Sequence, residues 1–402
     1  MAKLETVVVV GASLAGLRAV QALRRGGYEG RVIAIGEEKR PPYDRPPLSK
    51  EILSGKWEPE RTRLLRPEDA DLEVTWRLGE RAAGLELRAH CVRLESGDRV
   101  PFDGLVIATG SSARRIPGTP KLPGIHLLRS LDDALAIRAG LENSPRVTVI
   151  GAGFIGAEVA ATCRGRGLEV TMLEALPVPL ERALGVEMGN LVAGLHRDHG
   201  VDLRCGVGVK AFHGKDRVEA LELQDGSLLP TDLVVVGIGC APNTAWLADS
   251  GLALEDGVVC DASCRAKGAP FVVAAGDVAR WPNRLFAETM RIEHWTNATE
   301  QADAASAALL AGESGGKAYA PVPFFWSEQY DRKLQFGGRR AEQTALVDGS
   351  LEERRFVLLY GQGGRLRGVL GMNRPRLVMH YRKLIREGAG FEASVEAAVR
   401  AG

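Results

Sequence analysis

Residues 7–16 read VVVVGASLAG, and residues 147–156 read VTVIGAGFIG. In each stretch a continuous run of apolar, mostly β-branched residues meets a glycine-rich turn. Such a run is typical of a strand that is buried on both faces, as in a parallel sheet covered by helices. Both stretches therefore predict the start of a strand-turn-helix unit.

The residues that follow each turn complete the same pattern. After the first turn, apolar residues recur at helical spacing, and a second strand over 31–35 is followed by Glu37. After the second turn, the strand over 169–173 ends at Glu174. A β-turn-α-β unit of this length with an acidic residue after its second strand is typical of dinucleotide binding.

The glycines have separate tasks in the first turn. Gly11 permits the tight turn, and Gly16 lets helix and strand approach each other closely, while the helix N-terminus points its free amides at a pyrophosphate. Ser13 replaces the middle glycine of the usual fingerprint, so we expect a slightly shifted pyrophosphate.

The second turn has all three glycines of the fingerprint. Glu174 is placed to accept hydrogen bonds from both ribose hydroxyls. Residues 175–181 contain no Lys or Arg to bind a 2′-phosphate, which favours NADH over NADPH.

The two halves share a longer repeat. Residues 100–110 and residues 229–239 each contain a Pro and an Asp before an apolar strand and a glycine, at a constant offset of 129. A hairpin turn precedes each of them. One glycine motif alone could be an ordinary strand-to-helix turn. Two motifs in matching contexts predict two bound nucleotides.

Length and composition place the chain among ordinary globular proteins. Its 402 residues suffice for two to three domains. A net charge of +1 argues against bulk electrostatic binding to nucleic acid or membrane, and no run approaches the ~20 apolar residues of a membrane span. Because the first residues run directly into a strand, we expect no signal peptide. Six cysteines without a Cys-x-x-Cys pair predict reduced thiols, a cytoplasmic location and no metal site.

A further apolar strand over 271–275 is closed by Gly276 and Asp277. Beyond it, Asn297 followed three residues later by Glu300 resembles a capping box, which predicts a helix with Asn297 as its N-cap. The start of such a helix stabilises negative charge. Taken alone, Asp277 could equally be a turn residue.

Several motifs now occur in a recognisable order. They are the first glycine turn, PYDRPPLSK at 42–50, ATG at 108–110, the second glycine fingerprint with Glu158, Gly276-Asp277, and WSEQY at 326–330. In this combination the chain resembles the NADH-dependent, FAD-containing ferredoxin reductases that serve bacterial monooxygenases and ring-hydroxylating dioxygenases. The resemblance covers essentially the whole chain, and Ser13 is its one departure at a motif position.

The resemblance implies a set of site residues. Lys50, Glu158 and Trp295 are implied as catalytic, with Lys50 beside the flavin and paired to Glu158, and Trp295 flanking the flavin ring. The FAD-binding residues are expected to be Gly11, Ser13, Leu14, Ala15, Gly16, Glu37, Arg45, Lys50, Ala82, Thr109, Gly110, Arg129, Gly276, Asp277 and Trp295. The NADH-binding residues are expected to be Gly151, Gly153, Phe154, Ile155, Gly156, Glu158, Glu174, Arg182 and Gly239.

Without the family, these residues have plainer interpretations. Lys50 would be a solvated helix lysine, and Trp295 would be part of the core. Glu158 would complement the dipole of its helix. A buried lysine, however, needs a partner, which favours a Lys50–Glu158 pair.

The route of the electrons is indicated by what the sequence lacks. Disulfide reductases of related architecture keep a reactive cysteine in the region that corresponds to 42–53, and this chain has none there. A flavin accepts two electrons as hydride and can release them singly. We therefore expect an external acceptor, an acidic 2Fe-2S ferredoxin that binds transiently.

The C-terminal region offers a docking surface for such a partner. Residues 365–386 contain no Asp or Glu and seven basic residues: Arg365, Arg367, Arg374, Arg376, Arg382, Lys383 and Arg386. A local basic face suits an acidic electron carrier. A merely solvated surface is the alternative.

The expected fold is α/β, with two Rossmann-like domains in a glutathione-reductase-like arrangement and a C-terminal α+β domain. The FAD domain is expected over 1–113 and 245–320, the NADH domain over 114–244, and the C-terminal domain over 321–402. The C-terminal domain should have four short strands, separated by turns at 348–349 and 361–364, and then two helices.

The expected activity is that of an NADH:ferredoxin oxidoreductase, acting as a monomer or weak homodimer. Two alternatives stay open at this point. One is a rubredoxin, quinone or disulfide reductase, and the other is an NADH-sensing flavoprotein that resembles apoptosis-inducing factor.

Overall fold

The computed structural model describes residues 4–143, 145–313 and 315–401. The chain divides into two compact units. The first comprises Met1–Asp44, Arg63–Ser112 and Ala241–Phe325, and the second comprises Arg45–Thr62, Ala113–Cys240 and Trp326–Gly402. The division into three domains expected from the sequence stays a prediction.

A parallel five-stranded sheet forms the centre of the first unit. Its strands, in spatial order, are Val272–Ala274, Gly104–Ile107, Thr6–Val10, Arg31–Gly36 and Val74–Leu78. The strand Thr6–Val10 lies in the middle, which explains why Val7, Val8 and Val9 have no exposed surface. The helices Leu14–Arg25 and Trp295–Leu310 pack against each other and against this sheet.

A second parallel five-stranded sheet forms the centre of the nucleotide-binding part of the second unit. Its order is Asp202–Cys205, Val170–Glu174, Val147–Ile150, Leu233–Val236 and Ile125–Leu127. The helices of this part are Leu131–Leu141, Phe154–Gly165, Glu181–Leu184 and Val186–Asp198. Val147–Ile150 is again the central strand and is again buried.

The repeat seen in the sequence is present in the structure. The strands Arg99–Pro101 and Gly104–Ile107 correspond, at the offset of 129, to Leu228–Pro230 and Leu233–Val236. Each half also has a three-stranded antiparallel sheet: Ala82–Glu86, Cys91–Leu94 and Arg99–Pro101 in one, Val209–His213, Ala220–Leu223 and Leu228–Pro230 in the other. The predicted fold class is confirmed.

The C-terminal sheet is antiparallel and has five strands rather than four. Their order is Phe324–Gln329, Arg332–Gly338, Arg365–Met372, Arg355–Gln362 and Gln343–Ser350. The helices Pro375–Arg386 and Phe391–Ala401 follow. The remaining short strands of the chain are Ser111–Ala113, Cys240–Pro242, Val258–Val259, Ala279–Asn283 and Glu288–Met290. Six short 3-10 helices complete the described secondary structure: Pro46–Ser49, Pro59–Thr62, Pro67–Leu72, Leu87–Ala89, Ala245–Leu247 and Gly276–Val278.

One turn prediction in this sheet was wrong. Asp348 and Gly349 lie inside a strand, where they pair with Val357 and Phe356. A bulge between Leu346 and Asp348 interrupts the ladder at this point, and Gly349 has a φ of +72°. The local sequence therefore has residues typical of a turn, but the strand continues through them after the β-bulge.

The predicted capping box was also wrong. The helix begins at Trp295, and His294 is its N-cap, so Asn297 lies within the first turn. Asn297 is buried, and its amide group donates to the Ile292 carbonyl while its side-chain oxygen accepts from the Tyr319 hydroxyl. Tertiary partners therefore take the hydrogen bonds that capping would have used.

Among the residues that the structure describes, no helix has both the length and the apolar character needed to cross a bilayer.

We predict that Gly11→Ala destabilises the protein by about 2–4 kcal/mol, because backbone strain at a positive φ and a steric clash of the new Cβ add together. Gly11 has a φ of +117°, and a Cβ there would lie 2.0 Å from the Ala108 carbonyl oxygen. Gly165→Ala is the control, since a Cβ at that helical position meets nothing within 4 Å. Urea unfolding of both variants measures the difference. Equal stability of the two would contradict the assigned close approach.

Candidate active site

The first glycine turn connects the strand Thr6–Val10 to the helix Leu14–Arg25. A Cβ on Gly16 would lie 1.7 Å from the Gly11 carbonyl oxygen, so helix and turn touch through this glycine. Ser13 has a φ of −111°, an extended conformation that any residue adopts. Two of the three fingerprint positions thus require glycine for their geometry, and the third accepts serine.

Loops at the carboxyl ends of the first sheet's strands surround this turn. Thr109 donates its hydroxyl to the Asn243 carbonyl at 2.9 Å, and the Asn243 amide group donates to the Thr109 carbonyl at 2.8 Å. Gly276 has a φ of +77°, and its amide donates to Gln301 at 2.9 Å. The Asp277 carboxylate accepts from the Ser111 hydroxyl at 2.8 Å. The carboxyl ends of parallel strands therefore bring the expected FAD residues Leu14, Ala15, Thr109, Gly110, Gly276 and Asp277 to one edge.

Glu37, Ala82 and Trp295 are the other expected FAD residues of this unit. Glu37 follows the strand Arg31–Gly36, is exposed, and has Arg81 3.8 Å away. Ala82 begins a strand. Trp295 begins its helix, and its indole Nε1 donates to the Asp44 carboxylate at 2.8 Å. Sequence reasoning missed Asp44 as a partner of Trp295, because the two lie far apart in the chain.

The second glycine turn repeats the geometry in the second unit. Gly151 has a φ of +96°, and a Cβ on Gly156 would lie 2.0 Å from the Gly151 carbonyl oxygen. Gly153 differs, since its φ is −73° and a Cβ there would approach only the Gly237 carbonyl oxygen, at 4.0 Å. Neither the backbone nor the packing requires a glycine at 153. The position leaves open space at the helix start, which fits an approaching pyrophosphate.

Around this turn lie the other expected NADH residues. The Glu174 carboxylate accepts from the amides of Ala152 at 2.7 Å and Leu176 at 2.9 Å, so two backbone donors fix it at the strand end. Ile155 is 46% exposed at the start of its helix. The remaining expected residues are Phe154 in the helix start, Gly239 with a φ of +96°, and the exposed Arg182.

An ion pair joins Lys50 and Glu158. The Lys50 ammonium lies 2.9 Å from the Glu158 carboxylate, and the two side chains are 14% and 5% exposed. Lys50 also donates to the Pro46 carbonyl at 2.6 Å. Glu158 lies on the helix that follows the second glycine turn. The structure thus contains the pair that the resemblance implied, and the role of the pair in the reaction stays a prediction.

Arg45 and Arg129 also lie in the second unit. The Arg45 guanidinium donates to the Arg129 carbonyl at 2.5 Å. The Arg129 amide donates to the Asp133 carboxylate at 3.0 Å. Their expected contacts with FAD stay a prediction.

Burial makes several of the described cysteines unsuited to thiol chemistry. All six are free, and four of them are buried. Burial raises the pKa of Cys163 and of Cys264 to about 12, and it raises the pKa of Cys205 as well. Because the thiolate is the reactive form, these groups stay protonated and inert near neutral pH.

The structure contains two strand-turn-helix sites, each with an acidic residue after its second strand, and a buried lysine–glutamate pair. Together these features define an enzyme that binds two nucleotides and moves electrons. Comparison with known proteins agrees. Residues 5–302 match the family described as pyridine nucleotide-disulphide oxidoreductase, and residues 324–400 match the family described as reductase C-terminal.

Similar proteins include rhodocoxin reductase of Rhodococcus erythropolis, which is 37% identical over 94% of this chain and 89% of its own. The ferredoxin–NAD(+) reductase component of the anthranilate 1,2-dioxygenase system of Burkholderia cepacia is 36% identical over 95% of this chain and 94% of its own. The crystal structure of the covalent putidaredoxin reductase–putidaredoxin complex superposes with a TM-score of 0.92 at 32% identity, and covers 99% of this chain and 98% of that chain.

The chain belongs to the pyridine nucleotide-disulphide oxidoreductase family and has the reductase C-terminal region. The resemblance derived from the sequence motifs is confirmed, and so is the expectation of an oxidoreductase that uses FAD and NADH.

We predict that Lys50→Met lowers the free energy of unfolding by about 3 kcal/mol, because it leaves a buried carboxylate without its counter-charge. The double variant Lys50→Met/Glu158→Gln should recover part of that loss. Arg25→Met is the control, because the Arg25–Asp303 pair is more than half exposed on both sides and should contribute less than about 1 kcal/mol. Urea unfolding measures all three. A loss in Lys50→Met no larger than in the control would show that the pair is not effectively buried.

Proposed function

We propose that the protein is a cytoplasmic NADH:ferredoxin oxidoreductase. It takes hydride from NADH and passes single electrons to a 2Fe-2S ferredoxin, which serves a cytochrome P-450 monooxygenase or a ring-hydroxylating dioxygenase. The relatives reported above include a ferredoxin–NAD(+) reductase component and a reductase solved in complex with its redox partner. These names support the same activity here.

The buried Lys50–Glu158 pair is the observation that carries the proposal. A reductase that used its own thiols would need a reactive cysteine in the 42–53 region, where this chain instead has Lys50, held by Glu158 at 2.9 Å. A lysine ammonium fixed at this place supplies positive charge where hydride is received. The electrons must then leave to an acceptor outside the chain.

The residues at the first sheet edge would hold the FAD. Bound FAD supplies a group that accepts two electrons as hydride and releases them one at a time. The start of the helix Leu14–Arg25 offers free amides to the pyrophosphate, and Glu37 offers an exposed carboxylate to ribose hydroxyls. Asp277, held by Ser111, and Trp295, held by Asp44, complete the set in this unit.

The second glycine turn and Glu174 would hold NADH. Glu174 is fixed by two amides and presents its carboxylate beside the turn, where a ribose with free hydroxyls is accepted and a 2′-phosphate is repelled. The exposed Ile155 offers an apolar surface at the start of the helix that also carries Glu158. Charge and shape at this turn therefore favour NADH over NADPH.

The ferredoxin would dock on a smaller basic surface than the sequence suggested. Arg382 is buried, so it is not part of an exposed face. Arg374 pairs with Asp348 and is partly buried, as is Arg367. The basic residues of the segment that remain exposed are Arg365, Arg376, Lys383 and Arg386. Four exposed charges suffice to steer a transient acidic partner.

Charge reversal tests this surface. We expect Arg376→Glu/Arg386→Glu to raise the KM for an acidic 2Fe-2S ferredoxin about tenfold at low salt, and the effect should shrink as ionic strength rises. NADH-dependent reduction of ferricyanide, a small acceptor, should stay unchanged. Lys267→Glu, an exposed reversal elsewhere, is the control. If the double reversal and the control have the same KM at every salt concentration, the ferredoxin docks elsewhere; if no ferredoxin is reduced at all, the proposed acceptor is wrong.

Reversing the charge at Glu174 tests the nucleotide assignment. We expect Glu174→Arg to raise the KM for NADH at least about tenfold and to lower the KM for NADPH, because the ribose loses its acceptor and the 2′-phosphate gains a cation. Glu219→Arg, an exposed glutamate of the same unit, should change neither constant. A retained NADH preference in Glu174→Arg would remove Glu174 from the site.

A further inference from the structure

The WSEQY segment of the sequence, residues 326–330, lies against the helix that carries Glu158. Ser327 has no exposed surface, and its hydroxyl donates to Glu158 Oε1 at 2.8 Å. The Glu328 backbone amide donates to the same oxygen at 3.2 Å. One end of the buried carboxylate is therefore bound by the reductase C-terminal region.

The other end of the carboxylate is bound by the segment that contains Lys50. The Ser49 hydroxyl donates to Glu158 Oε2 at 2.5 Å, and the Lys50 ammonium donates to that oxygen at 2.9 Å. An ionised carboxylate has about four lone-pair sites and no proton to donate. The four donors fill them all, so the surroundings match the ionised form of Glu158.

The segment around Ser327 is itself fixed. The Gln329 amide group donates to the Ser327 hydroxyl at 3.2 Å, which orients that hydroxyl toward Glu158. The Tyr330 hydroxyl is hydrogen-bonded to Nδ1 of His196 at 2.9 Å, and its ring stacks on His199 with the ring centroids 3.6 Å apart. Burial lowers the pKa of His196 to about 4, so this anchor is neutral at ordinary pH.

We propose that Ser327 is a positioning residue of the reaction: it holds the ionised Glu158 in the orientation that fixes the Lys50 ammonium, with Ser49 as its counterpart on the other oxygen. The C-terminal region thus supplies a residue to the reactive pair in addition to any docking surface. This inference rests on the proposed role of Lys50 in the reaction.

The physical consequence of losing Ser327 follows from the donor count. Without the hydroxyl, Glu158 Oε1 retains only the longer bond from the Glu328 amide. A buried carboxylate that lacks a donor is less stable as an anion and is free to rotate away from Lys50. The Lys50 ammonium is then held less firmly in place, and its amine becomes more accessible to a reagent.

Competitive labelling of the Lys50 amine with acetic anhydride, read by mass spectrometry on the FAD-loaded protein at pH 8, tests this. We expect Ser327→Ala to raise the Lys50 labelling rate about threefold or more, because a hydrogen bond that positions Glu158, the ion-pair partner of Lys50, is lost. Ser327→Thr, which keeps the hydroxyl, should label as the unchanged protein does. Ser394→Ala, a buried serine of the same region that donates to the Gly390 carbonyl, is the control.

The route through Glu158 has its own test. In a Glu158→Gln background, adding Ser327→Ala should produce no further change in Lys50 labelling, because the charge that Ser327 holds is already absent. If Ser327→Ala does not fold, Ser49→Ala takes its place, since it removes a donor from the other oxygen. Lys50 labelling equal to that of the unchanged protein and of Ser394→Ala would overturn the proposal.

A second readout separates positioning from a structural role. We expect Ser327→Ala to lower the limiting rate of flavin reduction by NADH several-fold, and Ser327→Thr, which keeps the hydroxyl, to retain it. An unchanged limiting rate would overturn the proposal. Ferredoxin reduction by the unmodified protein does not depend on these results, so failure here is distinguishable from failure of the proposed function.

Discussion

The proposed site in the second unit depends on one buried carboxylate and its hydrogen-bond donors. Glu158 lies on the helix after the second glycine turn, and its two oxygens accept from Ser49, Lys50, Ser327 and the amide of Glu328. These donors come from two separate stretches of the chain, 49–50 and 327–328, and the helix that carries Glu158 is a third. A buried anion of this kind is tolerated only when its donors are all present, so it requires the three stretches to meet at one place. Lys50 is held there as a consequence.

The parts of the fold that follow from local pattern were predictable from the sequence. The strands Thr6–Val10 and Val147–Ile150, their glycine turns and the repeat at the offset of 129 all appear where expected, because buried parallel strands and tight turns allow few residue types. Sequence pattern failed where tertiary contacts used the same residues differently. Asn297 hydrogen-bonds to buried partners instead of capping the helix, and Gly349 pairs within a strand, just after a β-bulge, instead of forming a turn.

The candidate site was predictable in part for a similar reason. Lys50 and Glu158 were expected as a pair because family motifs carry both, and the structure places them 2.9 Å apart. Ser327, Ser49 and Asp44 have no pattern of their own in the sequence, since a serine or aspartate gains its role only from what folding brings beside it. The burial of Arg382 likewise depends on how its helix packs, which charge counting along the chain does not reveal.

Burial raises the pKa of Cys163 and Cys264, and residues 42–53 contain no cysteine, so we expect the electrons to leave to an external carrier. The most direct measurement is anaerobic: the FAD-loaded protein is reduced with one equivalent of NADH and then mixed rapidly with excess acidic 2Fe-2S ferredoxin. We expect two ferredoxins to be reduced per NADH, since each accepts one electron. A flavin that keeps its electrons in the presence of ferredoxin, or passes them only to a disulfide, would contradict electron delivery to an iron–sulfur partner.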